Sequence, residues 1–267
     1  MPELAEVEYY RRRWDKGLGQ PVVSVEIHAL KRVFRETSSS RFVRGLAGET
    51  LETSQASGKQ MLFGFSSGLW LGIHLGMTGQ LRTAFSEDPS RPHDHLVLRQ
   101  PGQALVFSDP RQFGRVRCEQ SDEIPEWWAA LSPSVLSKAF SAAVVMEFLQ
   151  RKRRAPIKAV LLMQERFPGI GNWMADEILW RSRIGPKRPC GTITRQEGQV
   201  LWRSVREVSR SALRVIGHDF SDPPDTWLFP HRWKSGGICP RDGSLLRREE
   251  VGGRTTCWCE RCQHEDG

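Results

Sequence analysis

The stretch MLFGFSSGLWLGI, residues 61–73, holds two short apolar runs separated by small turn-forming residues. Similar runs lie at residues 21–27, 95–98 and 104–107. Short apolar or alternating runs divided by turn residues at regular intervals are typical of antiparallel strands. The pattern therefore predicts an antiparallel β-sandwich or barrel over residues 20–118.

The period changes to helical from Ser132 onward. Apolar residues recur at spacings of three and four in stretches that predict four helices, at residues 137–151, 157–165, 172–181 and 194–216. Residues 5–14 are expected to form a further helix ahead of the strands. The segment 218–237 is rich in Pro, Asp, Gly and Trp and is interpreted as a linker.

These patterns predict a multi-domain α+β protein with no internal repeat. We expect three parts: an N-terminal β-sandwich with a leading helix (residues 1–131), a helical domain (132–228), and a cysteine-containing hairpin (229–267).

Composition favours an acidic partner. The chain has 39 Lys and Arg against 31 Asp and Glu, a formal net charge of +8 and an isoelectric point near 9.5. Such a balance indicates nucleic acid rather than a neutral metabolite. The first thirty residues are charged and lack an apolar core stretch, so we expect no secretory signal, and no apolar run is long enough to cross a bilayer. We expect a cytoplasmic monomer with no membrane partner, nucleoid-associated if the source is bacterial.

The N-terminus carries candidate catalytic groups. Met1 is followed by Pro2 and Glu3, with a second carboxylate at Glu6. Removal of Met1 would expose a secondary amine, and its attack on a sugar carbon would give an iminium ion, a strong electron sink. Glu3 is close enough in sequence to exchange protons with the group that Pro2 attacks. The alternative is that Pro2 only permits methionine removal and begins a helix.

Cysteine spacing indicates a metal site. Four of the six cysteines are Cys239, Cys257, Cys259 and Cys262. In a cytosolic chain such clustering favours metal over disulfide. Cys259 and Cys262 have the C-x2-C spacing of a zinc knuckle.

The other half of the knuckle has an aspartate. Asp242 stands where a second cysteine is expected after Cys239, and zinc accepts carboxylate oxygen as well as thiolate. Cys257 and His264 are competing fourth ligands, and a hairpin without metal is the further alternative. The isolated Cys118 and Cys190 are interpreted as structural.

A glycine-rich turn precedes the third helix of the second half. Gly169-Ile170-Gly171-Asn172 opens that helix, and free backbone N–H groups at a helix start form a seat for phosphate. In a basic chain this motif indicates a grip on a DNA backbone.

Together these pieces resemble the formamidopyrimidine-DNA glycosylase and endonuclease VIII family of base-excision repair enzymes, over nearly the whole chain. Five segments carry the resemblance: an N-terminal signature (residues 2–8), two DNA-probing segments (74–79 and 109–114), a helix-two-turn-helix (169–172) and a zinc-finger arm (253–259).

The resemblance implies a bifunctional glycosylase and lyase. Such an enzyme flips a damaged nucleotide out of duplex DNA, and Pro2 attacks C1′ of the deoxyribose to release the base. The resulting iminium leads to β- and then δ-elimination at an abasic site. Glu3 is the candidate acid or base for sugar-ring opening, and Glu6 supports it.

The resemblance also implies a set of DNA-binding residues. Met77, Arg111 and Phe113 would fill the space left by the flipped nucleotide. Phosphates near the reacting sugar would be held by Lys59, which we group with the catalytic residues, and by His74, Asn172 and Arg254. The zinc ligands would be Cys239, Asp242, Cys259 and Cys262, with one structural Zn²⁺.

Departures from the family pattern concern the substrate. The segment 217–227 is short and proline-stiffened where a long loop covers 8-oxoguanine, and Met174 and Gln112 replace an expected tyrosine and arginine. We therefore expect oxidised bases to be removed, with ring-opened purines and hydantoins favoured and 8-oxoguanine left open. The alternative function is a non-catalytic, zinc-containing nucleic-acid-binding protein that retains Met1.

Overall fold

The computed structural model describes residues 1–28, 30–35 and 43–264. The chain divides into two compact units, one of Met1–Pro2 with Glu6–Leu131 and one of Glu3–Ala5 with the residues from Ser132 onward. The predicted ranges 20–118 and 229–267 include residues outside the described ones, namely 29, 36–42 and 265–267. The predicted division into three parts stays a prediction.

The first unit is built on two antiparallel sheets. One sheet has the order β1-β6-β7-β5 and the other β2-β3-β4-β8. The strands are β1 Ser24–Ile27, β2 Leu51–Ser57, β3 Gln60–Phe65, β4 Leu69–His74, β5 Gln80–Ala84, β6 Asp94–Gln100, β7 Gln103–Ser108 and β8 Arg115–Gln120.

Both sheets bury side chains in one core. Phe63 of β3 and Leu71 of β4 join Phe107 of β7 in a single apolar cluster, each with no exposed surface. Trp14 closes this cluster with its ring 4.7 Å from that of Phe63. Two sheets that share one core form a sandwich, so the sandwich prediction is confirmed.

One helix precedes the strands of the sandwich in the chain, and another follows them. The first helix, α1 (Leu4–Arg13), agrees with the prediction within one residue at each end, and α2 (Glu126–Ala129) follows β8.

The second unit is mainly helical. Its helices are α3 Ala142–Arg151, α4 Ile157–Leu161, α5 Asn172–Ser182 and α6 Arg195–Asp219. Helix α3 begins five residues later than predicted because Ser141 is its cap and accepts a bond from Val144 N. Helix α4 ends early because Gln164, predicted to be helical, bonds instead to the backbone of Leu162, Gly169 and Ile170.

The boundaries of α6 follow from its end groups. Thr194 and Glu197 form a capping box at its start, and Phe220 ends it in the left-handed conformation at φ 65°. The predicted linker start is wrong, because His218 and Asp219 belong to the helix. The connection to the buried Trp227 is therefore only Phe220–Trp227.

A two-stranded antiparallel hairpin completes the second unit, formed by β9 Arg247–Val251 and β10 Arg254–Trp258. Gly252 and Gly253 make its turn with φ of 61° and 75°, values that favour glycine. The predicted architecture of sandwich, helical region and cysteine-bearing hairpin is confirmed.

Candidate active site and metal centre

The side chain of Glu3 is seated on the start of helix α5. Its carboxylate accepts hydrogen bonds from the backbone N–H groups of Gly171 (2.9 Å), Trp173 (2.9 Å) and Met174 (3.1 Å). Glu3 is only 3% exposed. All three donors point at the carboxylate and the helix dipole adds to them, so the start of α5 holds the side chain of Glu3 in place.

This arrangement corrects the predicted phosphate seat. The three N–H groups bind the protein's own carboxylate, so they are not available to a phosphate. Gly171 has an extended backbone that any residue can adopt, yet a Cβ there would lie 2.3 Å from Glu3 Cδ. Glycine is therefore required at this position by the proximity of Glu3.

Two of the predicted DNA-binding residues meet at the same helix end. The side-chain amide of Asn172 donates to the carbonyl oxygen of Thr255 at 2.8 Å, and Thr255 follows the exposed Arg254 at the start of β10. The hydrogen bond holds the hairpin turn against α5. Asn172 and Arg254 are thus brought together.

Sequence reasoning missed a buried charge network behind this helix end. Lys158 Nζ donates to the carbonyl oxygen of Asn172 (2.7 Å) and to Asp176 (2.5 Å). The other oxygen of Asp176 accepts from Arg232 Nη2 (2.5 Å) and from the backbone N–H of Cys257 (3.1 Å).

Burial lowers the pKa of Lys158, and the neighbouring carboxylate of Asp176 opposes that shift. In the sequence, the only indication of this network was Lys158, a lysine inside the apolar run that forms α4. Its partners could be identified only from the tertiary structure.

The predicted metal ligands converge. One ligand atom each from Cys239, Asp242, Cys259 and Cys262 lies within 4.8 Å of all the others, and this is the only such group of ligands in the described part of the chain. The sulfur atoms of Cys239 and Cys262 are 3.8 Å apart, and Cys259 Sγ is 3.4 Å from Asp242 Oδ2. The cluster could hold a metal ion.

The competing ligands lie outside this group. Cys257 is buried on β10 with its backbone bonded to Asp176, and the backbone N–H of His264 bonds to Arg183. Asp242 is oriented by the backbone N–H and hydroxyl of Ser244, at 3.0 and 2.6 Å. Such supporting bonds fix a ligand before metal arrives.

In the first unit, the two predicted DNA-probing segments form one rigid pair. Asp109 is fully buried and accepts from Thr78 Oγ1 and from Gly114 N, each at 2.7 Å. Gly76, at φ 64°, packs so closely that a Cβ would lie 2.4 Å from the backbone of Phe113. The close approach and the left-handed backbone explain the glycine.

The tips of these segments are open to solvent. Met77 is 39% and Phe113 38% exposed, and the guanidinium of the exposed Arg111 lies 4.9 Å from the Phe113 ring centre. Neither apolar side chain is part of the core. Solvent exposure is what insertion into a base stack requires.

The remaining predicted residues also belong to the first unit. Pro2 and Glu6 are half-buried, Pro2 just before α1 and Glu6 within it. Lys59 lies in the turn between β2 and β3, and His74 ends β4 with Nδ1 accepting from Gly76 N at 3.0 Å. His74 also lines a small cavity with Gln60, Gly72, Arg115, Arg117 and Trp127.

Three other expectations concern residues outside the site. Cys118 and Cys190, interpreted as structural, are buried free thiols, and burial raises the pKa of each to about 12. Met174 is fully buried. Across the described residues, the helices are all too short or too polar to traverse a bilayer.

Two family models match the chain. The model of the formamidopyrimidine-DNA glycosylase N-terminal domain matches residues 1–116, and that of the formamidopyrimidine-DNA glycosylase H2TH domain matches residues 131–222.

Curated relatives match along their whole length. A formamidopyrimidine-DNA glycosylase of Thermus thermophilus is 36% identical, with 99% of each chain covered. That of Pelotomaculum thermopropionicum is 33% identical, with 98% of this chain and 99% of the relative covered.

Solved structures have the same fold. A Lactococcus lactis formamidopyrimidine-DNA glycosylase bound non-covalently to DNA with an abasic site has a TM-score of 0.85 and 27% identity, covering 98% of this chain and 99% of the other. A MutM protein in complex with DNA containing carbocyclic 8-oxo-G has a TM-score of 0.86 and 26% identity, covering 98% and 100%.

The fold, the Glu3 seat and these similarities define a base-excision repair DNA glycosylase with abasic-site lyase activity. The alternative of a non-catalytic nucleic-acid-binding protein is not favoured. The chain belongs to the formamidopyrimidine-DNA glycosylase family.

Proposed function

We propose that Pro2, freed by removal of Met1, is the nucleophile of this glycosylase and lyase. The observation that supports this most strongly is the seat of Glu3, because the residue bonded to Pro2 is held by three backbone N–H groups of α5. A carboxylate fixed in this way restricts the freedom of the amine next to it. Fixing reacting groups contributes to rate by lowering the entropy cost of their encounter.

The proposed reaction begins with the unprotonated Pro2 nitrogen. It forms a bond to C1′ of the damaged nucleotide, and the base leaves with the electron pair of the glycosidic bond and takes up a proton. The nitrogen then gives up its proton, and the C1′–O4′ bond breaks with its electron pair going to O4′, which takes up a proton. The nitrogen lone pair forms the C1′=N⁺ bond of an iminium ion. Loss of the C2′ proton then expels the 3′ phosphate by β-elimination, and δ-elimination expels the 5′ phosphate.

We assign Glu3 the stabilisation of this cation and the handling of protons at the sugar. Its position next to Pro2, held by three N–H bonds, suits it to attract the iminium charge and to exchange protons at the sugar. Glu3 is the candidate acid or base for opening of the sugar ring. Glu6, one helical turn further along α1, supports Glu3.

The DNA contacts we propose fall into two classes. Met77, Arg111 and Phe113 enter the duplex, because the two apolar side chains are exposed on a rigid loop pair. Phosphates are held by Lys59, His74, Asn172 and Arg254.

We propose that ring-opened purines and hydantoins are the favoured lesions. The connection Phe220–Trp227 after α6 is short and is anchored by Pro223 and Trp227, which are buried. A segment of this length offers little surface to cover a flipped 8-oxoguanine. Bases that leave more readily depend less on such cover.

We propose that the four-ligand cluster binds one structural Zn²⁺. A tetrahedral zinc ion with Zn–S distances near 2.3 Å places two sulfur atoms about 3.8 Å apart, which agrees with the separation of 3.8 Å between Cys239 and Cys262. The residues present therefore fit this ion. Bound zinc would fix the hairpin that carries Arg254.

The protein is proposed to act as a cytoplasmic monomer on chromosomal DNA, in the nucleoid if the source is bacterial. The DNA in the similar solved structures supports the choice of partner.

Borohydride trapping on duplex DNA with an abasic site tests the nucleophile. The reduced iminium should give a stable protein–DNA adduct that maps to Pro2, and one extra residue ahead of Pro2 should abolish it. The matched control is the same extension followed by a protease site, which should regain trapping after cleavage. An adduct on Lys59, or full trapping by the extended protein, would show that Pro2 is not the nucleophile.

A further inference from the structure

Trp233 is unusual in its exposure. The chain has ten tryptophans, all within the described residues, and Trp233 is the only one in the exposed class, with 53% of its surface accessible. Large aromatic side chains are costly to leave in water. Tryptophan is enriched at interfaces, so an exposed tryptophan beside a functional site is a candidate contact for a ligand.

The Trp233 ring belongs to an aromatic ladder. It lies edge-on to Phe229 at 5.0 Å, and Phe229 lies edge-on to Trp173 at 5.0 Å. Exposure falls along the ladder, since Phe229 is half-buried and Trp173 is 4% exposed.

The inner end of the ladder is part of the Glu3 seat. The backbone N–H of Trp173 donates to Glu3 Oε1 at 2.9 Å. The three rings thus lead from the carboxylate next to the proposed nucleophile to an exposed aromatic face.

Arg232 fixes the outer ring from a second side. Its guanidinium lies 4.7 Å from the Trp233 ring centre, and both its Nε and its Nη2 are bonded to the buried Asp176. A ring held by a T-shaped neighbour and by a fixed cation loses little freedom when a ligand stacks on it.

We propose that Trp233 is a lesion-binding residue on which the flipped damaged base stacks. The inference rests on the proposed function. The short connection Phe220–Trp227 offers little surface to cover the flipped base, and Trp233 supplies part of that contact instead. Oxidised and ring-opened bases keep a planar face or amide planes, so stacking recognises them without a dedicated hydrogen-bond pattern. Stacking of a base on an aromatic side chain is sequence-tolerant.

Binding to DNA that cannot react tests this inference separately from the chemistry. Two duplexes of the same sequence are compared, one with a carbocyclic formamidopyrimidine nucleotide, whose base cannot be released, and one with the tetrahydrofuran abasic analogue. Trp233→Ala should weaken binding to the first roughly 5- to 150-fold, the range that loss of one base–aromatic stack gives. Binding to the second should not change, since that DNA has no base to stack.

Two further variants make the result specific. Trp233→Phe should retain most of the affinity for the lesion duplex, and Phe85→Ala, at an apolar residue that is 72% exposed in the first unit, should change neither affinity. Equal losses on both duplexes would place the ring on a neighbouring base, and unchanged lesion affinity would show that it contacts no base; either result overturns the inference. Failure of the borohydride adduct in the parent protein would contradict Pro2 as nucleophile without affecting this comparison.

Discussion

Substitution of Gly171 by alanine should displace the side chain of Glu3 from the start of α5 without straining the backbone. The added Cβ would lie 2.3 Å from Glu3 Cδ and 2.5 Å from Oε1, whereas ordinary contacts begin at 3.4 Å. The carboxylate must therefore withdraw by about 1 Å, the difference between these contact distances. Its three N–H bonds of 2.9 to 3.1 Å cannot survive that shift.

The cost can be estimated from those bonds. A hydrogen bond to a charged group contributes about 1.5 to 3 kcal/mol, and a buried donor left without a partner costs about 1 to 3 kcal/mol. With partial relaxation we expect Gly171→Ala to lower the free energy of unfolding by about 3 to 5 kcal/mol. Displacing a catalytic group by this distance should also slow base release about 100-fold.

Urea unfolding and single-turnover excision measure the two effects. Gly191→Ala is the matched control, because its Cβ would approach only Arg153, at 3.0 Å, and not Glu3; it should cost less stability and leave excision unchanged. In a Glu3→Ala background, Gly171→Ala should cost little, since the side chain it displaces is absent. If Gly171→Ala unfolds at the parental urea concentration and excises at the parental rate, Glu3 is not held by α5 in solution.

Two further predictions concern the metal cluster and the capping box of α6. Asp242→Cys should raise zinc affinity at least about tenfold and Asp242→Ala should lower it, because sulfur is the softer ligand; chelator competition measures both, and equal affinities would remove Asp242 from the ligand set. Glu197→Gln should cost about 2 to 4 kcal/mol at neutral pH, because it leaves the buried Arg188 without a charged partner. Burial raises the pKa of Glu197, but its bonds to Arg188 and Thr194 outweigh burial and lower it below its ordinary 4.5. The stability difference should therefore be full above pH 4.5 and shrink as the pH falls through the folded pKa; a difference that does not depend on pH would contradict the ion pair.

Much of the architecture follows from local patterns in the sequence. Helix α6 was located within a few residues because its apolar period and its cap at Thr194 act locally. Strand β2 was not predicted, since it is an edge strand with mostly exposed or half-buried polar side chains and lacks a clear alternation.

Errors in the site come from contacts that are distant in sequence. The turn at residues 169–172 was predicted to bind a phosphate, but three N–H groups at this helix start bind the carboxylate of Glu3, which lies 168 residues from Gly171 in the chain. The network of Lys158, Asp176 and Arg232 likewise depends on segments that only the tertiary structure brings together. The four candidate metal ligands do converge, and they could be grouped in advance because the spacing of cysteines in a short segment is a local signal.

The shared carboxylate of Asp176 has a consequence for how this sequence can vary. It binds Lys158, Arg232 and the backbone of β10 at once, so loss of this carboxylate alone leaves two buried cations without their shared partner. A change at residue 176 should therefore be accompanied by changes at residues 158 and 232, and related proteins that lack the carboxylate should lack both cations as well.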